Sequence, residues 1–306
     1  MPTLQQLRYL VQVIETGHFR RAAEACHVTQ PTISAQLKEL ETKLGATLVE
    51  RTRTRVVATP IGEMVLPHAR RALREVEEIH SLSSLHRGTL RSTIKVGIVQ
   101  SLGSYLLPLI VPDLHDSHPL LKLYVREGLP KHLLDSLGTG TLDMLYFPLP
   151  IREADFETRS LFREPLYTVM PKDHRFSGEG SIAPEMLKGE TILSLEPGHR
   201  LFEQVKRICE QFGAHLSHDY EGTSLDTLRQ MVGMGMGLSL LPALYVKSEV
   251  AHQDNVVAAP FRGTPPSRTI GMVWRRNTAR EGEFMELADE VCSILKRRAP
   301  EITLLG

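Results

Sequence analysis

HFRRAAEACHVTQPTISAQLKELETKLGATLVERT, residues 18–52, is the stretch on which the first part of this chain turns. Phe19, Ala22, Ala23 and Cys26 fall on one face of a short helix, and the two alanines let a neighbouring helix approach closely. His27-Val28 makes a turn. Thr29 stands where an N-cap is wanted and Pro31 in the first helical turn, where its missing N–H breaks no intrahelical bond. The helix opened there runs to Gly45 with Ile33, Leu37, Leu40 and Leu44 as its inner stripe. Gln30, Thr32, Ser34, Ala35 and Lys38 are left to face outward near its N-terminal half.

Upstream, Leu4, Leu7, Val11 and Ile14 recur at helical spacing and Gly17 follows as a stop, which predicts an earlier amphipathic helix. Downstream, TLVERTRTRVVAT (47–59) alternates like a two-stranded hairpin with Arg51, Arg53 and Arg55 about its tip. Helix, helix, tight turn, polar-tipped helix and basic hairpin is the order of a winged helix-turn-helix. Base edges are read by short donors and acceptors at the start of a recognition helix, and phosphates are held by cations and helix-end amides. Thr29, Gln30, Pro31, Thr32, Ser34 and Lys38 are therefore the candidate duplex-facing residues of the helix, and Arg51, Arg53 and Arg55 those of the wing. A small solvated bundle is the competing reading of three short helices. Cys26 lies on an apolar face and reads as a packed thiol before it reads as a sensor.

Charge supports a modular chain. The whole sequence balances at 36 basic and 36 acidic residues, yet residues 1–60 hold eight Lys/Arg against five Asp/Glu, so a net +3 module leads a −3 body. With 306 residues, more than one core is expected. No apolar run approaches the ~18 residues of a membrane span, and MPTLQQLRYL lacks the order of an export signal, so a cytoplasmic protein without membrane contact is expected. Cys26, Cys209 and Cys292 are an odd count for a disulfide framework in a reducing compartment.

Thr59-Pro60 restarts a helix that is expected to reach about Gly88, with Ala69, Leu73, Val76, Ile79, Leu82 and Leu85 spaced as a short coiled-coil seam. Such a seam pairs two copies, and two recognition helices then address palindromic half-sites about one helical turn apart on double-stranded DNA. From residue 92 on, IKVGIV (94–99), LKLYV (121–125) and LDMLYF (142–147) read as buried strands separated by helices near 103–115 and 131–137. ILSL (192–195), GLSLLP (237–242) and TIGMVW (269–274) continue that rhythm, and residues 280–298 form a closing amphipathic helix. The fold class is α/β, with a mostly parallel sheet covered by helices. Ser101, between the first of these strands and the helix of Tyr105, is placed where a hydroxyl and helix-start amides hold an anion or a polar effector, or where it merely caps the helix.

The segment 18–52 resembles the winged helix-turn-helix of LysR-type transcriptional regulators, and the resemblance runs the length of the chain. Within that family, HFRRAA (18–23), CHVTQPT (26–32), YLLP (105–108), TSLDTLRQMV (223–232) and LSLLPAL (238–244) are most similar to the OxyR-type peroxide regulators. The resemblance implies a homodimer or homotetramer on promoter DNA, with RNA polymerase a further candidate partner. It also implies an effector domain of the periplasmic-binding-protein type. The domains then run 1–58 for the winged helix-turn-helix, 59–90 for the linker helix and 91–306 for the effector domain. Subdomain I of the latter takes 91–163 and 268–306, and subdomain II takes 164–267. Effectors in such folds lie at strand C-terminal ends between the lobes, and Ser224 stands in the segment resembling the second-lobe site.

Peroxide regulators of this type carry a reactive cysteine directly after a Gly-His pair and a second cysteine nine residues on. In EPGHRLFEQVKRICEQFG (196–213), Gly198, His199 and Cys209 match, but Arg200 occupies the reactive position. A guanidinium cannot attack peroxide or form a disulfide. Cys209 shares a helix face with Leu201, Val205, Ile208 and Phe212 and reads as a buried thiol; as a redox residue it has no evident partner. Arg200 is left to pair with Glu196 or Glu203, or with His199 to meet a small-molecule or anionic effector. A regulator that answers a small metabolite instead of oxidative stress is the alternative.

Other classes find less support. GMGMG (233–237) precedes the run LSLL and so reads as a helix-to-strand turn, not a nucleotide loop. No nucleophile elbow, paired-carboxylate motif or cofactor motif marks an enzyme. His115/His118 and His215/His218 lack the cysteines of a metal site and read as surface histidines. A solute-binding protein would share the effector fold but not the basic N-terminal module. Met231, Met234 and Met236 are open to sulfoxidation, though methionines at such spacing are usually core.

Overall fold

The computed structural model describes residues 1–52, 55–85, 90–217, 222 and 224–305, and for 77–85 the backbone alone. The chain divides into two compact units, Met1–Gly88 with Thr139–Thr141, and Thr89–Gly138 with Leu142–Gly306.

In the first unit α1 (Leu4–Thr16), α2 (Phe19–Ala25) and α3 (Gln30–Leu44) precede the antiparallel pair β1 (Val49–Arg51) and β2 (Val56–Ala58), and α4 (Pro60–Leu85) follows. Thr3 and Gln6 close a reciprocal capping box on α1: the Thr3 hydroxyl accepts from the Gln6 amide at 3.2 Å, and Gln6 Oε1 accepts from the Thr3 amide at 3.1 Å. Gly17 and Gly45 stop α1 and α3 in the left-handed conformation, φ 67° in each. Leu10, Val13, Ala22, Ile33, Leu37, Leu40 and Leu48 form the buried core.

Two residues of the expected apolar stripes fall outside that core. Leu4 and Leu44 are 46% and 39% exposed. Each stands in a terminal turn, beyond the cover of neighbouring helices, and the buried arc of α1 centres on Tyr9, Leu10 and Val13 because α2, α3 and α4 all pack on it. The wing is tied to α3 through Glu41, whose Oε1 accepts from the amides of Leu48 at 2.7 Å and Val49 at 3.2 Å. Gly62 in the first turn of α4 is required by contact, since a Cβ there would lie 2.0 Å from the Leu48 carbonyl oxygen. Along α4, Ala69 is buried and Leu73 and Val76 are half-buried. The side chains of Ile79, Leu82 and Leu85, and Gly88 itself, lie outside the described residues.

The second unit begins β3 (Thr93–Val99), α5 (Gln100–Ser117), β4 (Lys122–Gly128), α6 (Pro130–Gly138), β5 (Met144–Leu149) and β6 (Phe156–Pro171). It continues with β7 (Thr191–Leu193), α7 (Arg200–Phe212), β8 (His215–Leu216), α8 (Leu225–Gly233), β9 (Leu238–Pro242) and the short α9 (Ala243–Tyr245). β10 (Val256–Pro260), β11 (Ser267–Arg275), α10 (Glu281–Arg298) and β12 (Thr303–Leu304) complete it. The strands run β4-β3-β5-β11-β6-β9-β7-β8 across one sheet, with β10 and β12 also on β6.

β6 explains the shape of this unit. Its first half pairs with β11 and its second half with β9 and β10, so one long strand serves two lobes. Each lobe has its own core, one around Ile94, Ile98, Phe162, Trp274 and Phe284, the other around Leu166, Ile192, Val205, Leu228 and Leu240. Two expectations need correction. The sheet is mixed instead of mostly parallel, because the connecting strands β6 and β11 run antiparallel to each other and to β5 and β9, while β3 with β4 and β5, and β7 with β8 and β9, are parallel. LKLYV is not a buried strand: β4 is the sheet's edge, covered on one side only, and Tyr124 is 62% exposed.

Candidate nucleic-acid interface and effector cleft

α3 presents its polar half outward because Ile33, Leu37 and Leu40 are drawn into the core on the other side. Gln30, Pro31, Thr32 and Lys38 are exposed and Ser34 is half-buried. Thr29 is the N-cap by backbone conformation, but its hydroxyl does not cap the helix; it lies 2.8 Å from the Thr32 hydroxyl. At the wing, the Val56 amide donates to the Gly17 carbonyl at 2.7 Å, and Thr52 and Arg55 close the tip, the Thr52 hydroxyl donating to the Arg55 carbonyl at 2.8 Å. Arg51 and Arg55 are exposed; Arg53 lies outside the described residues. Arg51 reaches back to the helices, its guanidinium carbon 4.4 Å from the Phe19 ring centroid and its Nη2 donating to Ser34 Oγ at 3.3 Å. Lys38, Arg51 and Arg55 form no ion pair among the described residues, so three cations stand uncompensated on this face.

In the second unit a cleft of about 420 Å³ lies between the start of α6 and the start of α7, lined by Lys131, Leu134 and Asp135 on one side, Gly198, His199, Arg200 and Glu203 on the other, and Glu153. Gly198, φ 103°, makes the turn that a residue with a Cβ resists, and so delivers His199 and Arg200 to the helix start. His199 is 4% exposed. Its Nε2 has no hydrogen-bond partner among the described residues and lies 3.9 Å from Glu196 Oε1. Burial pushes its pKa down, only partly opposed by Glu196. The Arg200 guanidinium sits 5.8 Å from the Phe147 ring centroid. The expected pairing with Glu196 or Glu203 is absent among the described residues; Arg200 turns to the aromatic face instead.

Ser101 and Ser224 are not in the lining of this cleft. Ser101 is in the first turn of α5, buried, with its hydroxyl accepting from Arg268 Nη1 at 2.8 Å and its carbonyl from Nη2 at 2.9 Å. Arg268 Nε donates to Glu164 Oε2 at 2.8 Å, and Glu164 Oε1 accepts from the Leu244 amide at 2.9 Å. The network joins α5, both connecting strands and α9. Ser224 caps α8, its hydroxyl accepting from the Asp226 amide at 3.2 Å. Cys209 faces inward with Leu201, Val205 and Ile208, and burial pushes its thiol up to about 11. Cys26, Cys209 and Cys292 are all free thiols. Among the described residues no group of three His, Cys, Asp or Glu side chains is placed to hold a metal ion, and His218 lies outside them.

Residues 4–63 match the profile of the bacterial regulatory helix-turn-helix protein, lysR family, and residues 87–293 match that of the LysR substrate binding domain. The chain belongs to the LysR family. It is 38% identical over 288 residues to the DNA-binding transcriptional dual regulator OxyR of Escherichia coli (strain K12), covering 94% of each protein. It is equally 38% identical to the hydrogen peroxide-inducible genes activator of Pectobacterium carotovorum, covering 94% of this chain and 95% of that one. Full-length OxyR from Pseudomonas aeruginosa, solved with a cysteine-to-aspartate substitution, superposes with a TM-score of 0.81 at 37% identity over 98% of both chains. This LysR-family chain is thus an OxyR-like, DNA-binding transcription regulator with a helix-turn-helix unit and an α/β substrate-binding domain. No helix among its described residues is long and apolar enough to cross a membrane.

Four participants in these sites, Phe19 beneath Arg51, Glu41 at the wing and the Glu164–Arg268 pair, carry no signal for these roles in the sequence. Their partners are 32, 7 and 104 positions away, and only packing brings them together.

Proposed function

We propose that this chain is a cytoplasmic operator-binding regulator whose switch is not an intramolecular disulfide. Residues 1–58 would read the duplex, 59–90 pair two copies, and 91–306, in two lobes meeting near 163 and 268, sense the signal. The observation that carries this reading is the contrast between α3, whose exposed Gln30, Thr32 and Lys38 are backed by buried Ile33, Leu37 and Leu40, and Cys209, whose thiol is 2% exposed and held protonated by burial. Short polar groups on a rigid helix suit base edges, and Thr29, Pro31 and Ser34 shape its approach. Arg51, Arg53 and Arg55 supply phosphate or minor-groove contacts. A protonated, buried thiol does not attack peroxide, and Arg200 stands where the resemblance places the reactive one.

The signal is then a small polar molecule at the cleft of His199 and Arg200, a reading favoured by the buried His199, whose Nε2 has no hydrogen-bond partner among the described residues, in a lining that also holds Arg200 and Lys131. Membership of the family supports homodimers or homotetramers on palindromic half-sites, with RNA polymerase a further candidate partner.

Footprinting on the protein's own upstream DNA, with and without peroxide and with a panel of small carboxylates and phosphates, tests this. Salt-sensitive, palindromic protection that shifts with a panel member is expected. Peroxide treatment that changes the footprint and joins the Cys209 peptide to a second cysteine peptide of the same chain, with loss of two hydrogens in total, would overturn the proposed switch, and protection without sequence preference would overturn operator reading.

A further inference from the structure

Arg51 ends β1 with its side chain laid across two other elements, the ring of Phe19 on α2 and the hydroxyl of Ser34 on α3. Phe19 is 9% exposed, so most of its surface belongs to the core, and the guanidinium lies over its ring. No carboxylate pairs with Arg51 among the described residues, so the charge is held in place without being neutralised. A guanidinium has five N–H donors, and Ser34 takes one. The others stay available beside the exposed start of α3. A free surface arginine samples many rotamers and must give up that freedom when it grips a phosphate; one already seated on a ring has given it up in advance.

We infer that Phe19 and Ser34 are positioning residues that hold Arg51 ready for the duplex, so that wing and recognition helix present one pre-set cation. Ser34 acts through Arg51, not directly on a base edge. This rests on the reading that α3 and the wing face DNA.

The experiment is a double-mutant cycle on the full-length protein, with affinity for its upstream DNA fragment read by fluorescence anisotropy across a salt series. Arg51→Ala is expected to weaken binding about tenfold and to flatten the salt slope by about one contact. Phe19→Leu and Ser34→Ala each weaken binding about threefold when Arg51 is present and change nothing in the Arg51→Ala background, while Phe19→Tyr, which keeps the ring, binds as the parent does. Equal losses from Phe19→Leu or Ser34→Ala in both backgrounds overturn the inference and leave the DNA-facing reading intact. Should Arg51→Ala alter neither affinity nor slope, the wing reading itself fails. If Phe19→Leu does not fold by its thermal transition, the Ser34→Ala and Phe19→Tyr arms decide.

Discussion

The helix-turn-helix unit and the effector domain solve the same problem, holding polar groups in a fixed place, by opposite means. In the first, Gln30, Thr32 and Lys38 sit on one continuous helix and are aimed by Ile33, Leu37 and Leu40 from the same fifteen residues. In the second, Ser101, Glu164, Leu244 and Arg268 converge from four elements separated by up to 167 positions. Local construction leaves its chemistry open to solvent, whereas long-range construction buries a charge pair where every donor must be matched. The two units should therefore fail differently when perturbed.

The largest effect is expected at the buried pair. Arg268→Met leaves the Glu164 carboxylate, fully buried, without its cation and should cost about 3–5 kcal/mol of stability in chemical unfolding. Adding Glu164→Leu to the same chain should recover much of that loss, because replacing both charges is far less costly than stranding one. A single variant as stable as the parent would show that the connecting strands do not depend on this network.

Next comes a steric test of the first unit. Gly62→Ala places a methyl group 2.0 Å from the Leu48 carbonyl, and about 1–3 kcal/mol of destabilisation is expected, read as a lower melting transition with the effector domain unaffected. If the melting curve of the effector domain moves as well, the two units do not unfold independently.

A smaller effect separates the cleft from the DNA face by pH. Burial lowers the His199 pKa, so the unfolded chain takes up this proton before the folded one does. Stability from His199 is thus complete above the ordinary histidine range, near pH 6.5, and declines as pH falls through it toward the lower folded value. His199→Phe should flatten that part of the stability profile, and a profile unchanged by the substitution would remove His199 from the pH response.

The smallest effect is predicted for Glu24→Ala. It breaks the pair with Arg20 on α2, which is exposed on both sides, and should change stability by less than about 0.5 kcal/mol. A larger loss would mean that the DNA-reading unit leans on its surface charges more than its core suggests.

Much of the chain was legible before any coordinates. Thr29-Gln30-Pro31 announced the start of α3 and Gly45 its end because caps, proline and left-handed glycine act within a few residues. The wing was readable from alternation, and the closing helix from its period, which placed its start within one residue of the observed Glu281. Less accessible were Leu4 and Leu44, whose periodicity is that of core residues although nothing covers them, and β4, whose apolar residues match those of a central strand. Periodicity reports which face is apolar, not whether a neighbour arrives to bury it.

The sequence by itself determined the kinds of elements, the helix with its polar N-terminal half and an arginine at position 200 directly after Gly198-His199, since each depends on side chains adjacent along the chain. Tertiary structure alone decided that Arg200 turns to Phe147 and not to a glutamate, that Ser101 receives Arg268, and that Phe19 carries Arg51. Those outcomes depend on distances between residues remote in sequence, and such distances are set only when the two cores of the effector domain and the helices around Leu10 have packed.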